Sequence, residues 1–370
     1  MMHIETMIGI YGAICASMIV FNIVYNLHLK SYAGRTQRRC TRLKREIGPQ
    51  FELLDRGVAI QETHLKYLRR KLKRVNQLVA YDQFLDEYAA SKPDLTAEYL
   101  YQIQPAILYL SLVYDAREDT QSAYFAYLLS KHVTEQQTHS DSLQELLLNY
   151  VKKQNLYCRF NALQALFRLG NIEYIIAAVR LQDDGTIFLH EKILTEMFLS
   201  FPGNHHQLIA QILEAWKSFS LHTQLSILNY IRFRSGDYCK EMFTLMQHTS
   251  ANKELRLAAI RYLGKYPYAP ALTPMSDFVR DKDLERWEYA TVAASSLSGY
   301  SEELVIDTLK QALYSENWYI RSAAAQSLDD LNVDYSELVD VVIGNDRYAR
   351  EIVTYHLESR MLQHGEVTAK

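Results

Sequence analysis

Twelve histidines, four cysteines and a few paired carboxylates are the residues of this 370-residue chain that could ligate a metal or move a proton. His205 and His206 adjoin in PGNHHQ, a loop and helix start, and neighbouring positions on a helix do not face each other, so the pair is poorly placed to share an ion. His132 and His139 stand seven apart with no carboxylate motif beside them. Asp183 with Asp184, and Asp329 with Asp330, fall at helix ends or turns and read as solvated surface. Cys15, Cys40, Cys158 and Cys239 are far apart, with neither a paired spacing nor a histidine set that would hold zinc. They read as reduced thiols in a cytosolic compartment. The chain has no HExxH, GxxxxGK, GxSxG or GxGxxG, and its 13 glycines leave little for phosphate-cradling loops. The expectation is a protein that is not an enzyme and takes no cofactor, metal or small-molecule substrate.

One charge needs a structural account instead. Arg321 lies inside NWYIRSAAAQSLDDL, where an unpaired cation would be costly to bury. It belongs to a series. Asn155, Asn252 and Asn317 each precede an arginine by four residues (Arg159, Arg256, Arg321), then an alanine three further (Ala162, Ala259, Ala324), then a leucine four beyond (Leu166, Leu263, Leu328). Asp346 with Arg350, Val353 and Leu357 repeats the frame. Thr186 with His190, Ser220 with Gln224, Asp283 with Trp287, and Thr120 with Tyr124 fill the gaps, at steps of 29 to 35 residues. Lys131 breaks the apolar pattern. Each leading residue has a short side chain able to accept a bond from the free amides of a helix start. Before each lies another amphipathic run, such as IEYIIAAV or KEMFTLM. Two antiparallel helices per step, neither able to bury its apolar face alone, must stack on their neighbours.

The pattern over roughly Asp115 to Leu362 resembles the HEAT-repeat family, a helical solenoid of armadillo type. The resemblance implies an all-α fold, a right-handed superhelical solenoid of α-helical hairpins. It also implies that Arg159, Arg256, Arg321 and Arg350 form a ladder with Asn155, Asn252, Asp283, Asn317 and Asp346 as turn partners, the two residues bonding across the turns. Tyr124, His190, Gln224 and Trp287 depart from it, standing where that family has arginine. Loss of Arg321 would cost on the order of 3 kcal/mol if it stranded a buried partner.

Ahead of the array, Met7–Leu29 carries no formal charge with His28 neutral, and about 20 such residues span a bilayer as a helix. Lys30, Arg35, Arg38, Arg39, Arg42, Lys44 and Arg45 follow at once, which places that flank in the cytoplasm and the short N-terminus outside. A cleaved signal peptide would need the opposite polarity. The expectation is therefore a single transmembrane helix in the plasma or inner membrane. Gly9, Gly12, Ala13, Ala16 and Ser17 give small-residue spacings that suit helix association in lipid. Gly48 and Pro49 then punctuate the chain. The resulting division is an anchor at 1–29, a basic juxtamembrane linker at 30–58, a helical capping region at 59–115, the repeat array at 116–362 and a flexible tail at 363–370.

The formal net charge of -3 conceals an asymmetry. Lys30–Val75 has 14 basic and 4 acidic residues, and the chain beyond has 26 and 38. A basic segment suits anionic lipid, and an acidic body opposes nucleic-acid binding. The function expected is a membrane-anchored cytoplasmic scaffold for a protein partner, itself a membrane or membrane-associated protein. The alternatives are an accessory subunit of a membrane enzyme, such as a glycosyltransferase or polysaccharide export system, and, more remotely, a nucleic-acid-binding array. The partner-binding face is expected five, six and nine residues after the arginine slot, at Asn229, Tyr230, Phe233, Arg261, Tyr262 and Lys265, because helical geometry points these positions away from the core.

Overall fold

A computed structural model describes residues 2–132, 141–185 and 189–368, with side chains described for 7, 9–132, 141–185, 189–283 and 285–360. Among the described residues the chain forms twenty α-helices and no strand. They group into two compact units, residues 1–189 with 200–203, and residues 190–199 with 204–370. The division falls inside the 116–362 stretch that the sequence reading takes as one array.

The first unit contains α1 (Met2–Asp55), α2 (Glu62–Lys71), α3 (Val75–Ser91), α4 (Pro93–Gln102), α5 (Gln104–Asp115), α6 (Asp119–His132), α7 (Asp141–Val151), α8 (Leu156–Leu169) and α9 (Ile172–Asp183). Its core begins on α1, where Thr36, Cys40, Leu43, Ile47, Phe51 and Leu54 are buried at three-and-four spacing against α3 and α4. The Phe51 ring stacks on Tyr99 at 4.4 Å and lies 4.5 Å from Tyr88. This packing overrides the local break expected at Gly48 and Pro49, since α1 runs through Pro49. A proline there loses one backbone bond. Buried Ile47, Phe51 and Leu54 on either side hold the helix regardless. The real stop is Gly57, at φ +77°, whose N–H bonds the Leu54 carbonyl. Residues 30–55 are therefore helix and not linker.

Further along, α6 packs on α8, while α5, α7 and α9 pack in succession. Gly170 closes α8 at φ +77°, a conformation costly for a side chain with a Cβ, and Asn171 at once caps α9. The hairpin turn thus needs only two residues.

His64 of α2 is buried and lies 2.9 Å from the Tyr99 hydroxyl. Burial pushes its pKa down to about 4. The unfolded chain takes up this proton near pH 6.5 and the folded chain only near 4, so the stability His64 contributes is full above about pH 6.5 and lost as pH falls through about 4. The first unit is expected to lose about 2 kcal/mol by this route. Urea midpoints measured near neutral pH and near pH 4 should lie closer together in His64→Gln than in the parent chain. An unchanged gap would reject this account.

The second unit contains α10 (Glu191–Leu199), α11 (His205–Glu214), α12 (Leu221–Arg234), α13 (Cys239–Gln247), α14 (Lys253–Lys265), α15 (Ala269–Arg280), α16 (Trp287–Leu297), α17 (Glu303–Ala312), α18 (Trp318–Asp330), α19 (Tyr335–Val342) and α20 (Arg347–Thr368). The even-numbered helices pack in one succession, α10 on α12 and so on to α20. Each odd-numbered helix from α11 to α19 lies against the even one that follows it. Successive hairpins thereby share burial, as a helical repeat requires. The last helix reaches Thr368 and so includes most of the residues expected to form a tail.

Candidate interaction surfaces

The polar leaders cap helices, as their chemistry suggests. Asn155, Asn252 and Asn317 begin α8, α14 and α18, accepting the N–H of Cys158, Glu254 and Tyr319 at 3.0, 2.8 and 2.8 Å. Asp346 accepts that of Ala349 at 2.8 Å. Asp283 accepts from Glu285, but at a short 3₁₀ turn ahead of α16. Ser220 stands at the N-cap of α12. Thr120 does not cap: it lies within α6, whose first amides bond the Glu118 carbonyl. Thr186 is outside the described residues, as is His139. His190 is no rung either, because it begins α10 and accepts the Lys192 N–H on Nδ1 at 3.2 Å.

The arginines reach other partners than those the resemblance implied. Arg256 donates from Nε to the Met246 carbonyl at 2.9 Å, Arg321 from Nη1 to that of Ser315 at 3.0 Å, and Arg350 from Nη1 to that of Gly344 at 3.2 Å. Each thus meets a backbone carbonyl of the segment just before its own helix. Gln224 does the same to the Trp216 carbonyl at 3.1 Å, so an amide replaces guanidinium at that step. Arg256 and Arg321 also lie over the rings of Tyr289 and Tyr348, at 4.8 and 4.9 Å. Arg321 is only half-buried, which removes the case for a cost near 3 kcal/mol. The deeply buried arginine is Arg159, 3% exposed, which donates to Gln182 of α9 at its side-chain oxygen (3.0 Å) and its carbonyl (3.3 Å). Among the remaining departures, Trp287 stacks on Tyr319 and Tyr124 donates to Asp82.

Tyrosines supply rungs that the sequence reading did not assign. Tyr114 donates to the Leu72 carbonyl, Tyr150 to that of Ser111, Tyr262 to that of Ser235 and Tyr300 to that of Leu263, all at 2.7 to 3.0 Å. The last two hydroxyls also accept a backbone N–H, from Tyr238 and Tyr268. A chain with 27 tyrosines carried that signal in composition alone. Buried, each hydroxyl needs such a partner.

Two of the six residues expected on the binding face belong to the core. Tyr230 and Tyr262 are buried, the first hydrogen-bonded to His205 Nδ1 at 2.6 Å and the second to Ser235. Phe233, Arg261 and Lys265 are exposed and Asn229 is half-buried. Lys265 donates to the Arg232 carbonyl and stands over the Phe233 ring. A larger aromatic surface lies elsewhere in the second unit. Trp318, Tyr319, Tyr348 and Tyr355 are 57 to 67% exposed, and Trp318, Tyr348 and Tyr355 line a groove of about 330 Å³ with Arg321 and Ile352 among others.

On α1, the apolar residues from Met7 to Leu29 are exposed, and among the described residues of the span none is buried. Arg35, Arg38, Arg42 and Arg45 are exposed on the next turns, while Lys44 pairs with Glu87 of α3. Cys15 is exposed; Cys40 and Cys158 are buried, and burial pushes the Cys158 thiol up to about 12. The one cluster with metal-ligating groups among the described residues is Asp82, Asp86 and His132. It brings α3 and α6 together across 50 residues of sequence, which is why spacing did not find it. The Lys131 ammonium already sits 3.1 Å from Asp82 and 2.5 Å from Asp86, where a cation would go. Burial pushes the Asp82 carboxyl up, and the bonds from His132 and Lys131 outweigh it and hold the group below the usual range.

Residues 240–329, which span the hairpins from α13 to α18, match the family model described as HEAT repeats. No curated protein matches the chain. Together with the all-helical fold, the match supports a helical-repeat architecture of the HEAT kind for this stretch.

Proposed function

We propose that the chain is a membrane-anchored scaffold: Met7–Leu29 of α1 crosses a bilayer, and the helical units on the cytoplasmic side hold a protein partner. The supporting observation is the two-part character of α1. Its first half exposes Ile10, Ile14, Ile19, Phe21, Ile23 and Leu27, each 49 to 67% accessible, whereas the same unbroken helix is buried in the first unit from Cys40 to Leu54. So contiguous an apolar exposure marks a membrane or protein contact. The basic flank sets the orientation, with the plasma or inner membrane as the site. HEAT repeats commonly serve as protein-interaction scaffolds, and that analogy supplies the class of function. The partner's contact is placed at Trp318, Tyr319, Tyr348 and Tyr355, since exposed tryptophan and tyrosine carry much of the binding energy of interfaces.

Because α1 has no flexible break, the first unit stands at a fixed height. Leu29 and Thr36, the first buried residue, are about 10 Å apart along the axis. The test is alkaline carbonate extraction of membranes holding the full chain or residues 30–370, a truncation that keeps every α1 side chain packed in the first unit. The full chain should remain in the pellet and the truncation should be released. A full chain that is extracted, or a truncation that is not, would reject the anchor. A photo-crosslinker at Tyr319 should capture the same protein in both membrane and detergent, and one at exposed Lys192 should not.

A further inference from the structure

We propose that Arg38, Arg42 and Arg45 of α1, with Arg70 of α2, form a docking strip for an acidic helical segment of a second membrane-associated protein, one that descends from the bilayer beside α1. The proposal rests on the membrane-anchored reading of α1 and adds to it a surface and a partner chemistry.

The strip is defined by geometry. Positions 35, 38, 42 and 45 recur at three-and-four spacing, so their side chains share one face of the helix. The buried residues Thr36, Cys40, Leu43 and Ile47 occupy another. Arg38, Arg42, Arg45 and Arg70 are all exposed, and none forms an ion pair among the described residues. Arg42 and Arg70 both act electrostatically on the Tyr67 hydroxyl, so both lie near that side chain of α2. Glu46, one turn along α1 from Arg42, is engaged, accepting from Tyr67 and pairing with Lys71 at 3.1 Å. Against the upward push of burial, Arg42 also helps to hold the Glu46 carboxyl low, but one acid set against four arginines leaves the strip a net positive field.

Lipid headgroups account for only the top of it. A rise of 1.5 Å per residue puts Arg35 about 9 Å beyond Leu29, Arg38 about 14 Å, Arg42 about 20 Å and Arg45 about 24 Å. The headgroup layer takes up about 6 Å of that. The field of an anionic leaflet decays over about 8 Å at physiological ionic strength. Lys30 and Arg35 lie within its reach, Arg38 near its limit, and Arg42 and Arg45 beyond it. Moreover, the row runs along the helix axis, whereas a leaflet is a plane across that axis. A helix running alongside α1, with carboxylates at matching spacing, meets all of the lower arginines at once. A nucleic acid fits less well, since the chain beyond Val75 carries 38 acidic against 26 basic residues and would repel a polyanion longer than the strip.

The test uses the full chain in a neutral detergent micelle and two labelled helical peptides of about 15 residues and identical composition, one with its glutamates on a single face and the other with them spread around the helix. The single-face peptide is expected to bind about fivefold tighter than the other or better. Arg42→Ala/Arg45→Ala/Arg70→Ala should weaken it by about tenfold or more, and Lys30→Ala/Arg35→Ala by less than about twofold. Flotation with phosphatidylserine vesicles should show the reverse dependence. Equal binding of the two peptides, an unaffected triple variant, an oligouridylate that binds as well as the single-face peptide, or vesicle binding that tracks the triple variant would each overturn the proposal. Because the peptide titration is done in detergent, a chain that carbonate extracts from membranes would sink the anchor reading without altering the peptide result.

Discussion

Gly299→Ala is expected to destabilise the second unit by about 3 kcal/mol, the upper part of the range for forcing volume into a packed interior. A Cβ at Gly299 would stand 2.1 Å from the carbonyl oxygen of Gly264, and one at Gly264 would stand 2.6 Å from the Ser296 Cβ and 2.8 Å from its Cα. The obstructing atoms are largely backbone, so no side chain can rotate away. Relief requires the end of α14 to separate from the end of α16. That movement would also break the Tyr300 bond to the Leu263 carbonyl at 3.0 Å and the bond that Tyr300 accepts from the Tyr268 N–H at 3.1 Å. Urea unfolding of the full chain and hydrogen exchange of the α14 and α16 amides would register the loss. Gly34→Ala is the control: it lies inside α1 with nothing within 4 Å, and should be neutral or stabilising by a few tenths of a kcal/mol to about 1 kcal/mol. If Gly299→Ala unfolds at the same urea concentration as the parent, α14 and α16 do not approach as closely as described.

Which features of this architecture could be read from sequence follows from the range of the interaction. Asn155, Asn252, Asn317 and Asp346 were legible because a cap bonds amides two or three residues away. The far ends of the arginines were not, since Met246, Ser315 and Gly344 offer only carbonyls, and any residue has one. Pro49 misled because a local signal of a few kcal/mol was set against the burial of Ile47, Phe51 and Leu54, which only α3 and α4 supply. Tyr230 and Tyr262, expected on the exposed face, are buried for a related reason. Amphipathic reasoning assumes one dry side, but α12 contacts α10, α11 and α14 and buries Leu225, Ser226, Ile227, Leu228, Tyr230 and Ile231 almost all round. On such a helix the position opposite one neighbour faces another. The exposed aromatics Trp318, Tyr319 and Tyr348 sit instead in the first turns of α18 and α20, near the hairpin connections, where no periodicity is available to mark them.

Arg159→Ala should cost the first unit about 3 kcal/mol, while Arg159→Met should cost less than about half of that. The two substitutions separate what the guanidinium contributes from what its bulk contributes. Arg159 is 3% exposed, and burial depresses its pKa below the ordinary arginine value. Its two bonds go to Gln182, a neutral partner, so its charge is desolvated with no carboxylate paired to it among the described residues. Replacing a buried cation with an apolar side chain of similar length relieves that desolvation and keeps the space filled, which in other proteins has been neutral or favourable. Alanine relieves the same desolvation but leaves a cavity between α8 and α9 as well as removing both bonds. Thermal unfolding and exchange of the α8 and α9 amides would distinguish the two variants. Methionine behaving as badly as alanine would mean that the bonds to Gln182, and not the packing, hold the hairpin together. At Arg321 and Arg350, half-buried and exposed, the same pair of substitutions should differ by less than about 1 kcal/mol, because water can fill the space that alanine leaves.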